Sequence, residues 1–478
     1  MAASATEEQV NLRLVIDEAK NKVLFAHAGK DFVDALVSFL TLPLGTIARL
    51  VANESNIEKF SIGSLSSLYE SVANLEVKHF LTETCKEMLL QPRNSMESYC
   101  QNLKLNIDDT EKMKYFVCQN WECSRKTSGG LLSKFRGKIC KCGKVMNREI
   151  SPQKGLLGNN NEGFCHELAT FVVLDDLKVM PDNFQGSMVD LLKCSLLSRT
   201  PLTDLFLRKK LLHKNSQLRT AFDFNTSEPG VIVGGEMMKV KAMVRKSNSK
   251  ILYVLAEEDF VDFLFSFLTF PLGGVVQMLK GKSCMGSIDN MYKSMGDLDC
   301  YRYSKSPELK DKLVNSRLAH QFKLKKQILT IGELPTSNFS CYSVLYRSMH
   351  LTKIRDYGGE PWGAVYAPLS YLEPQSSTGD TYDSCGGRGF AKSPSLYMVT
   401  DDLVVTPNSP ISAISLLTES RISPSDLEEI DISIGQKEAL NILNASLISS
   451  SALTIALSQY IKPIGEFLPL LYYNRSTF

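Results

Sequence analysis

Four cysteines in the first half of the chain have a spacing that suits metal binding. Cys118 and Cys123 have four residues between them, and Cys140 and Cys142 follow after a loop of 16 residues. Two close cysteine pairs joined by a short loop are typical of a structural zinc site. Four thiolates fill the tetrahedral shell of Zn²⁺ and leave no open position for a catalytic water. We therefore predict one structural zinc per chain, and the alternative is four reduced thiols near a hairpin.

The segment that carries these cysteines, 119–150, is strongly basic. It contains eight lysines and arginines against two glutamates, with two aromatic residues among them. A basic loop with aromatics can bind the phosphate backbone of a nucleic acid. The same cations can instead offset the negative charge of a zinc–thiolate centre and form ordinary solvated surface. On the first interpretation, the contacting residues would be Arg125, Lys126, Lys134, Arg136 and Lys138.

The chain that carries these side chains contains a long internal repeat. DFVDALVSFLTLPLG at 31–45 returns as DFVDFLFSFLTFPLG at 259–273, with 12 of 15 positions identical. Matches that keep the same order along both halves indicate a tandem duplication of a whole domain. The further matching pairs are 62–75 with 285–298, 172–181 with 398–407, and 191–206 with 442–457.

The predicted fold class is α+β, with two tandem related domains. Each domain is expected to have a β-hairpin followed by helices and further short strands, and the first carries a zinc-knuckle insert. The second copy keeps Cys341, with Cys385 as a candidate for a second position, but it has no second member of either pair, so its knuckle is degenerate and should not bind zinc. The predicted parts are an N-terminal tail at 1–9, the first repeat domain at 10–224 with its knuckle at 116–146, a linker at 225–237, the second repeat domain at 238–462, and a C-terminal tail at 463–478.

The repeated stretch is expected to be a helix with a polar stripe. Asp31 suits the N-cap and Asp34 the first turn, where the helix dipole favours a carboxylate, and Pro43 should break the helix. The stripe is either capping plus one exposed edge of a core helix, or a docking face for a partner. Its members are Asp31, Asp34, Ser38 and Thr41 in the first copy, and Asp259, Asp262, Ser266 and Thr269 in the second.

Several global features limit the function classes. The net charge is +2, which gives no general reason to expect nucleic acid or a membrane surface as a partner. The most apolar stretch, 260–279, contains Asp262, Pro271 and Gln277, so we expect a buried helix and no membrane span. The N-terminal residues lack the features of a secretory signal. We therefore expect an intracellular protein, cytoplasmic or nuclear and not secreted, with reduced cysteines.

These repeated motifs, with the cysteine knuckle and the final SRTPLTDLFL, resemble the plant family of unknown function called DUF674. The resemblance covers about residues 10 to 460 and implies a plant origin and a duplicated organisation, but no reaction. The second copy has about 25 extra residues near 409–433. In the family such a segment usually occurs in both copies, which implies that the first copy lost it.

The function expected from these observations is a non-enzymatic interaction or scaffold module with a structural zinc. Its protein partners and its oligomeric state are not specified by the sequence. One alternative is a nucleic-acid-binding protein that uses 119–150. The other is an enzyme with a site in the cleft between the two repeats, although no catalytic motif is present.

Overall fold

The fold is described by a computed structural model. The described residues are 10, 12–53, 61–120, 122–123, 130–152, 163–165, 170–177, 196, 200, 202–203, 237–298, 304–334, 339–344, 348–353, 365–372, 374–375 and 389–461.

The first repeat combines a hairpin, a group of helices and a series of short strands. Its elements are β1 (Leu12–Asp17), β2 (Lys22–Gly29), α1 (Lys30–Ser38), α2 (Leu44–Asn53), α3 (Gly63–Asn74), α4 (Glu83–Leu90), α5 (Glu97–Cys100), β3 (Tyr115–Val117), β4 (Gly130–Ser133), β5 (Lys138–Ile139), β6 (Val145–Met146), β7 (Arg148–Pro152) and β8 (Thr170–Leu174).

The second repeat follows the same order, and the structure describes further elements near its end. Its elements are β9 (Met238–Arg245), β10 (Lys250–Glu257), α6 (Glu258–Phe267), α7 (Leu272–Met278), α8 (Gly286–Asp297), α9 (Pro307–Val314), β11 (Phe339–Val344), β12 (Ser348–Lys353), β13 (Val365–Tyr371), β14 (Leu396–Thr400), β15 (Val405–Pro407), α10 (Pro410–Glu419), β16 (Leu427–Ile434), α11 (Gln436–Ile448) and α12 (Ala452–Ala456). The fold is therefore α+β, as the sequence predicts.

The two hairpins are the same structure at an offset of 228 residues. β1 pairs with β2 as β9 pairs with β10, in the same antiparallel register. Each hairpin has one bulge, which leaves out Leu24 in the first repeat and Leu252 in the second. A one-residue slip would move every side chain to the other face, so the shared register keeps equivalent residues on the core side.

Among the described residues, the sheets around these hairpins differ in size. The sheet of the first repeat has the order β1-β2-β8, and that of the second has the order β15-β14-β10-β9-β16. β16 lies in the extra segment of the second repeat and covers the outer edge of β9 over its full length. Among the described residues, β1 has no such neighbour on its outer edge.

The repeated stretch lies at the junction of the two repeats. The backbone N–H of Leu44 donates to the carbonyl of Phe270 at 2.9 Å, and that of Leu272 donates to Leu42 at 2.9 Å. The two hydrogen bonds join equivalent residues with the repeats exchanged, so the junction has approximate two-fold symmetry. The apolar side chains of both repeats pack in one continuous core.

The second shared structure is a closed barrel of six strands. Its order is β11-β12-β7-β3-β4-β13, with three strands from each repeat. Within a repeat the neighbouring strands are antiparallel, and the two seams between repeats, β12 with β7 and β13 with β4, are parallel. Apolar residues from both halves fill its interior, including Tyr115, Val117, Phe339 and Leu351. The repeats thus depend on each other for this core.

Two local predictions need correction. Helix α1 begins at Lys30 with Gly29 as its N-cap, so Asp31 lies inside the first turn and is not the cap. The sequence also predicts a helix near 77–92, but helix α4 begins only at Glu83, where the Thr82 side chain accepts the N–H of Cys85. Among the described residues, none of the helices combines the length and apolar character needed to cross a bilayer.

Candidate functional site

The four cysteines are brought together by strand β3 and the β5–β6 hairpin. Cys118 follows β3 directly, and Cys140 and Cys142 occupy the turn between β5 and β6. This turn is closed by the N–H of Cys140 donating to Lys144 at 2.9 Å and that of Gly143 donating to Cys140 at 2.8 Å. Gly143 has a φ of +79°, a conformation that favours glycine. The sequence thus builds a tight turn that directs two thiols to the same side.

The sulfur positions fit a tetrahedral metal ion. The Sγ atoms of Cys118 and Cys142 are 3.5 Å apart, as are those of Cys123 and Cys140, and all four lie within 4.8 Å of one another. A Zn–S bond of about 2.3 Å places tetrahedral sulfurs about 3.8 Å apart. These separations are far longer than a disulfide bond of about 2.05 Å, and the four cysteines are free thiols. The cluster can therefore hold a metal ion.

The surroundings affect the four thiols differently. Burial raises the pKa of Cys118 to about 12 and that of Cys123 to about 11. The backbone N–H of Lys144 lowers the pKa of the exposed Cys142 to about 7. The N–H of Asn120 donates to Cys118 Sγ at 3.3 Å, which is the kind of contact that stabilises a thiolate. A bound cation would supply the remaining positive charge that thiolates in this partly buried cluster need.

The knuckle packs on the barrel and contacts the second repeat. Cys118 and Cys140 share a small apolar cluster with Leu372, which follows β13 of the second repeat. The N–H of Leu372 donates to the carbonyl of Leu132 at 2.8 Å. The Lys138 side chain also donates across the same boundary, to the carbonyl of Pro374. A metal ion here would therefore fix a junction between the two repeats.

Only part of the basic set predicted to contact nucleic acid points outward. Arg136 is exposed. Lys134 donates to Gln321 at 2.7 Å and lies over the ring of Tyr371, and burial lowers its pKa to about 8. Lys138 is buried and is bound to the second repeat as described above. Arg125 and Lys126 lie outside the described residues.

In the first repeat, the centre of the polar stripe is a buried carboxylate. Asp34 is fully buried, and its Oδ1 accepts the backbone N–H of Phe164 at 2.8 Å and of Cys165 at 2.7 Å. Burial raises the pKa of Asp34, while these two N–H groups and Lys30 act against that rise. Lys30 Nζ is 3.2 Å from Asp34 Oδ2. The carboxylate therefore fixes a distant loop to α1.

The second repeat uses the same arrangement with a different charge balance. Asp262 Oδ1 accepts the N–H of Phe390 and of Ala391, both at 2.7 Å. Burial raises the pKa of Asp262 to about 7, and the nearby carboxylates of Glu258 and Asp259 add to the rise. Glu258 occupies the position that Lys30 has in the first repeat. Asp262 therefore has a negative neighbour where Asp34 has a positive one.

The other members of the stripe are also engaged within the protein. Asp31 is half-buried and pairs with Lys104 at 2.6 Å, and Asp259 pairs with Lys326 in the same way. The hydroxyls deeper in the stripe are buried and donate to carbonyls of their own helix, which are those of Ser38, Thr41, Ser266 and Thr269. Most of the stripe thus lies in the interior, where a partner at the surface of this conformation does not reach it.

Each repeat also contains a pair of adjacent aspartates, Asp175-Asp176 in the first and Asp401-Asp402 in the second, and the first member of each pair is bound within the protein. Asp175 accepts the N–H and hydroxyl of Thr203, and Asp401 accepts those of Thr454. Each carboxylate thus ties a β-turn to the segment near the end of its own repeat. This role was missed from the sequence, because the partner threonines are far along the chain. The signal that could have revealed it is that both the Asp and the Thr recur at matching positions of the aligned segments, although the spacing between them is 28 residues in the first copy and 53 in the second.

An open cleft of about 490 Å³ lies between the repeats. It is bounded by α3 of the first repeat and by the β14–β15 region of the second. Its titratable lining residues are Glu70, Glu76, His79 and Asp402. Among the hydrogen bonds of these described lining residues, none joins a nucleophile to a base. The cleft has acidic character and lacks an assembled catalytic pair.

Comparison with known proteins agrees with the repeated organisation. The family model described as Protein of unknown function (DUF674) matches residues 6–189 and, a second time, residues 183–437. The chain belongs to the DUF674 family. The two matches confirm the tandem DUF674 repeats that the sequence indicates. No curated protein and no solved structure was found to match the chain.

The DUF674 repeats differ at the cysteine knuckle. The first carries all four thiols, whereas in the second Cys341 lies on β11, at the position equivalent to Cys118. Among the described residues, the four cysteines of the first repeat are the one group of metal-ligating side chains close enough together to hold a metal ion. The cysteine cluster is therefore an asymmetric feature on an approximately symmetric fold.

Proposed function

We propose that this DUF674 protein is a non-enzymatic protein-interaction module, in which a zinc ion on the four cysteines has a structural role. The observation that carries the interaction role is helix α10. It has no buried residue, and its large apolar side chains Ile411 and Ile414 are 77% and 62% exposed. An exposed apolar surface of this kind is typical of a contact site for another protein.

Helix α10 also lacks the usual source of helix stability. An isolated helix of about ten residues is marginal in water, and most helices in proteins are stabilised by packing an apolar face. The Ser409 cap, which accepts the N–H of Ser412 at 3.0 Å, and Pro410 in the first turn favour its start. These local effects contribute little compared with burial of two isoleucines. A partner that covers α10 would supply that burial.

The zinc ion would support this module by stabilising the barrel. Four thiolate ligands leave no position for substrate or water, which suits a structural centre. Because the knuckle contacts Leu372 and Pro374 of the second repeat, the ion would hold the barrel seam closed. We assign it no catalytic step.

The interaction role is tested by quantitative affinity purification from the native tissue. Tagged wild type is compared with Ile411→Ser/Ile414→Ser and with a control, Val77→Ser/Leu81→Ser, which removes two exposed apolar side chains elsewhere. We expect a defined set of proteins with wild type and control, and a several-fold loss with the α10 variant. The same set in equal amounts with all three proteins would contradict the proposal.

Nucleic-acid binding by 119–150 is the alternative. It is weakened by the inward positions of Lys134 and Lys138, and it would depend on exposed cations such as Arg136, Lys141 and Lys144. Such binding should fall steeply with salt, because phosphate contacts release counterions. Failure to shift DNA or RNA probes at low salt would remove this alternative. An enzyme that uses the inter-repeat cleft remains a third possibility, without an assembled site in its favour.

A further inference from the structure

The outer edge of β1 is the counterpart of an edge that the second repeat covers. In the second repeat, β16 pairs antiparallel with β9 from Leu427 opposite Arg245 to Ile434 opposite Met238. β1 and β9 are equivalent residue by residue at an offset of 228. In the described part of the first repeat, no strand pairs with β1 on this side. An unpaired edge presents free backbone N–H and C=O groups to another chain.

Side-chain burial shows what the missing neighbour leaves uncovered. Ile16 on β1 is 38% exposed, whereas its equivalent Val244 on β9 is 3% exposed. Leu14 is half-buried, whereas its equivalent Ala242 is fully buried. Leu12 is buried, so the exposure grows toward the end of β1. Among the described residues, the first repeat thus presents an incompletely covered apolar row along the outer edge of β1.

The charges on this edge indicate which residues a strand that pairs with β1 should contain. Lys241 on β9 is paired with Glu429 of β16 at 2.5 Å, and it also stands opposite Asp431 in the register. Arg13 is the equivalent of Lys241 on β1, and it is exposed. A strand that adds here therefore meets a cation at the same place. It should alternate aliphatic and acidic residues, as LEEIDISI of β16 does.

We propose that the outer edge of β1 binds, by antiparallel strand addition, an extended segment of another polypeptide with alternating aliphatic and acidic residues. This inference deepens the proposed interaction role and rests on it, but it uses a surface different from α10. The expected register places the acidic positions beside Arg13 and an aliphatic side chain opposite Leu14. Main-chain hydrogen bonds would supply affinity, and the charge pairing would fix the register.

The test uses the full-length protein and a fluorescent peptide with the sequence of residues 425–435, SDLEEIDISIG, in an anisotropy titration. We expect saturable binding. A peptide with proline in place of Ile430 keeps the charge but disrupts the strand, so its binding should be lost. Arg13→Glu should weaken binding of the original peptide by roughly five-fold or more, because an attractive pair becomes repulsive.

Two further arms place the peptide on β1. A peptide with lysine in place of both Glu429 and Asp431 should regain affinity for Arg13→Glu, and lose it for wild type. Lys241→Glu is the matched control, because displacement of β16 from β9 would depend on Lys241, whereas binding at β1 would not. No saturable binding, or binding that responds to Lys241→Glu and not to Arg13→Glu, would overturn the inference. Either result leaves the α10 comparison intact, so failure of the two proposals is distinguishable.

Discussion

Pro43 and Pro271 face each other across an antiparallel bridge. They are the same residue of the repeated stretch in the two copies. Neither proline has an N–H to donate, so the flanking residues Leu44 and Leu272 make the hydrogen bonds across the junction. The most similar segment of the two repeats is thus the segment through which they contact each other.

This junction predicts that neither repeat is stable alone. Chains cut within the predicted linker 225–237 and co-expressed should purify as a complex through a tag on one half. Each half expressed separately should be insoluble or largely unfolded, because the barrel and the main core need residues from both. Circular dichroism and size-exclusion chromatography of the halves measure this. Two halves that fold independently as monomers would contradict it.

The sequence predicts the class of the fold because the repeated helix is apolar and has helical periodicity. The DFVD stretch marks a core helix in both copies, and the hairpins before it have clear turn and strand composition. The barrel could not be predicted in the same way. Strand β3 has three residues, and the barrel closes only where β7 pairs with β12 and β4 pairs with β13, whose residues come from different repeats. Such non-local pairing leaves no local pattern.

For the same reason, only the part of the candidate site that is local in sequence could be predicted. The four cysteines are close in sequence, and their spacing is enough to predict that they cluster. The carboxylate of Asp34 binds the backbone N–H groups of Phe164 and Cys165, about 130 residues later, and no local spacing pattern predicts such a contact. For the same reason, Lys134 and Lys138 look like free surface cations in the sequence and are bound to the second repeat in the fold.

Metal content is the most direct test of the cysteine cluster. Purified protein should contain about one zinc per chain, and Cys140→Ser should lose it and melt several degrees lower, since metal binding is linked to folding. Cys284→Ser is the matched control, because Cys284 is exposed and lies outside the cluster. Plasma mass spectrometry and thermal unfolding measure the two effects. Wild-type protein that lacks stoichiometric metal after expression with added zinc would exclude the site.

Gly389 should not tolerate a side chain. A Cβ there would collide with the buried carboxylate of Asp262, although the φ of Gly389 is outside the left-handed region. Gly389→Ala should therefore lower the free energy of unfolding by about 1–3 kcal/mol through overpacking. Gly296→Ala is the control, because nothing lies within 4 Å of its added Cβ and it is inside α8. Urea unfolding should show the control to be neutral or slightly stabilised, and equal effects at both sites would argue against the packing described.

The buried carboxylate of Asp262 should make stability depend on pH. Its folded pKa is raised by burial to about 7 from an ordinary value of 3.8. The protonated form favours the folded state, so this contribution is complete below about pH 4 and is lost as the pH rises through about 7. Within that window, wild type should lose up to about 1.4 kcal/mol per pH unit from this group.

Asp262→Asn removes the titrating proton and keeps an acceptor oxygen for Phe390 and Ala391. The free energy of unfolding of the variant, relative to wild type, should therefore increase between about pH 5 and pH 8. Asp431→Asn, at an exposed position, should show no such trend. Urea unfolding at several pH values gives the comparison. A difference for Asp262→Asn that stays constant across this range would mean that the carboxyl does not titrate in it.

The charge difference between the repeats gives a way to control that titration. Lys30 lies 3.2 Å from Asp34, whereas Glu258 at the equivalent position raises the pKa of Asp262. Glu258→Lys should place a cation beside Asp262, lower its pKa, and so reduce the loss of stability with rising pH. Glu257→Lys makes the same charge change one residue away, outside the equivalent position, and should reduce the loss less. If both variants kept the wild-type slope, the neighbouring charges would not control the Asp262 carboxyl, and burial alone would account for its pKa.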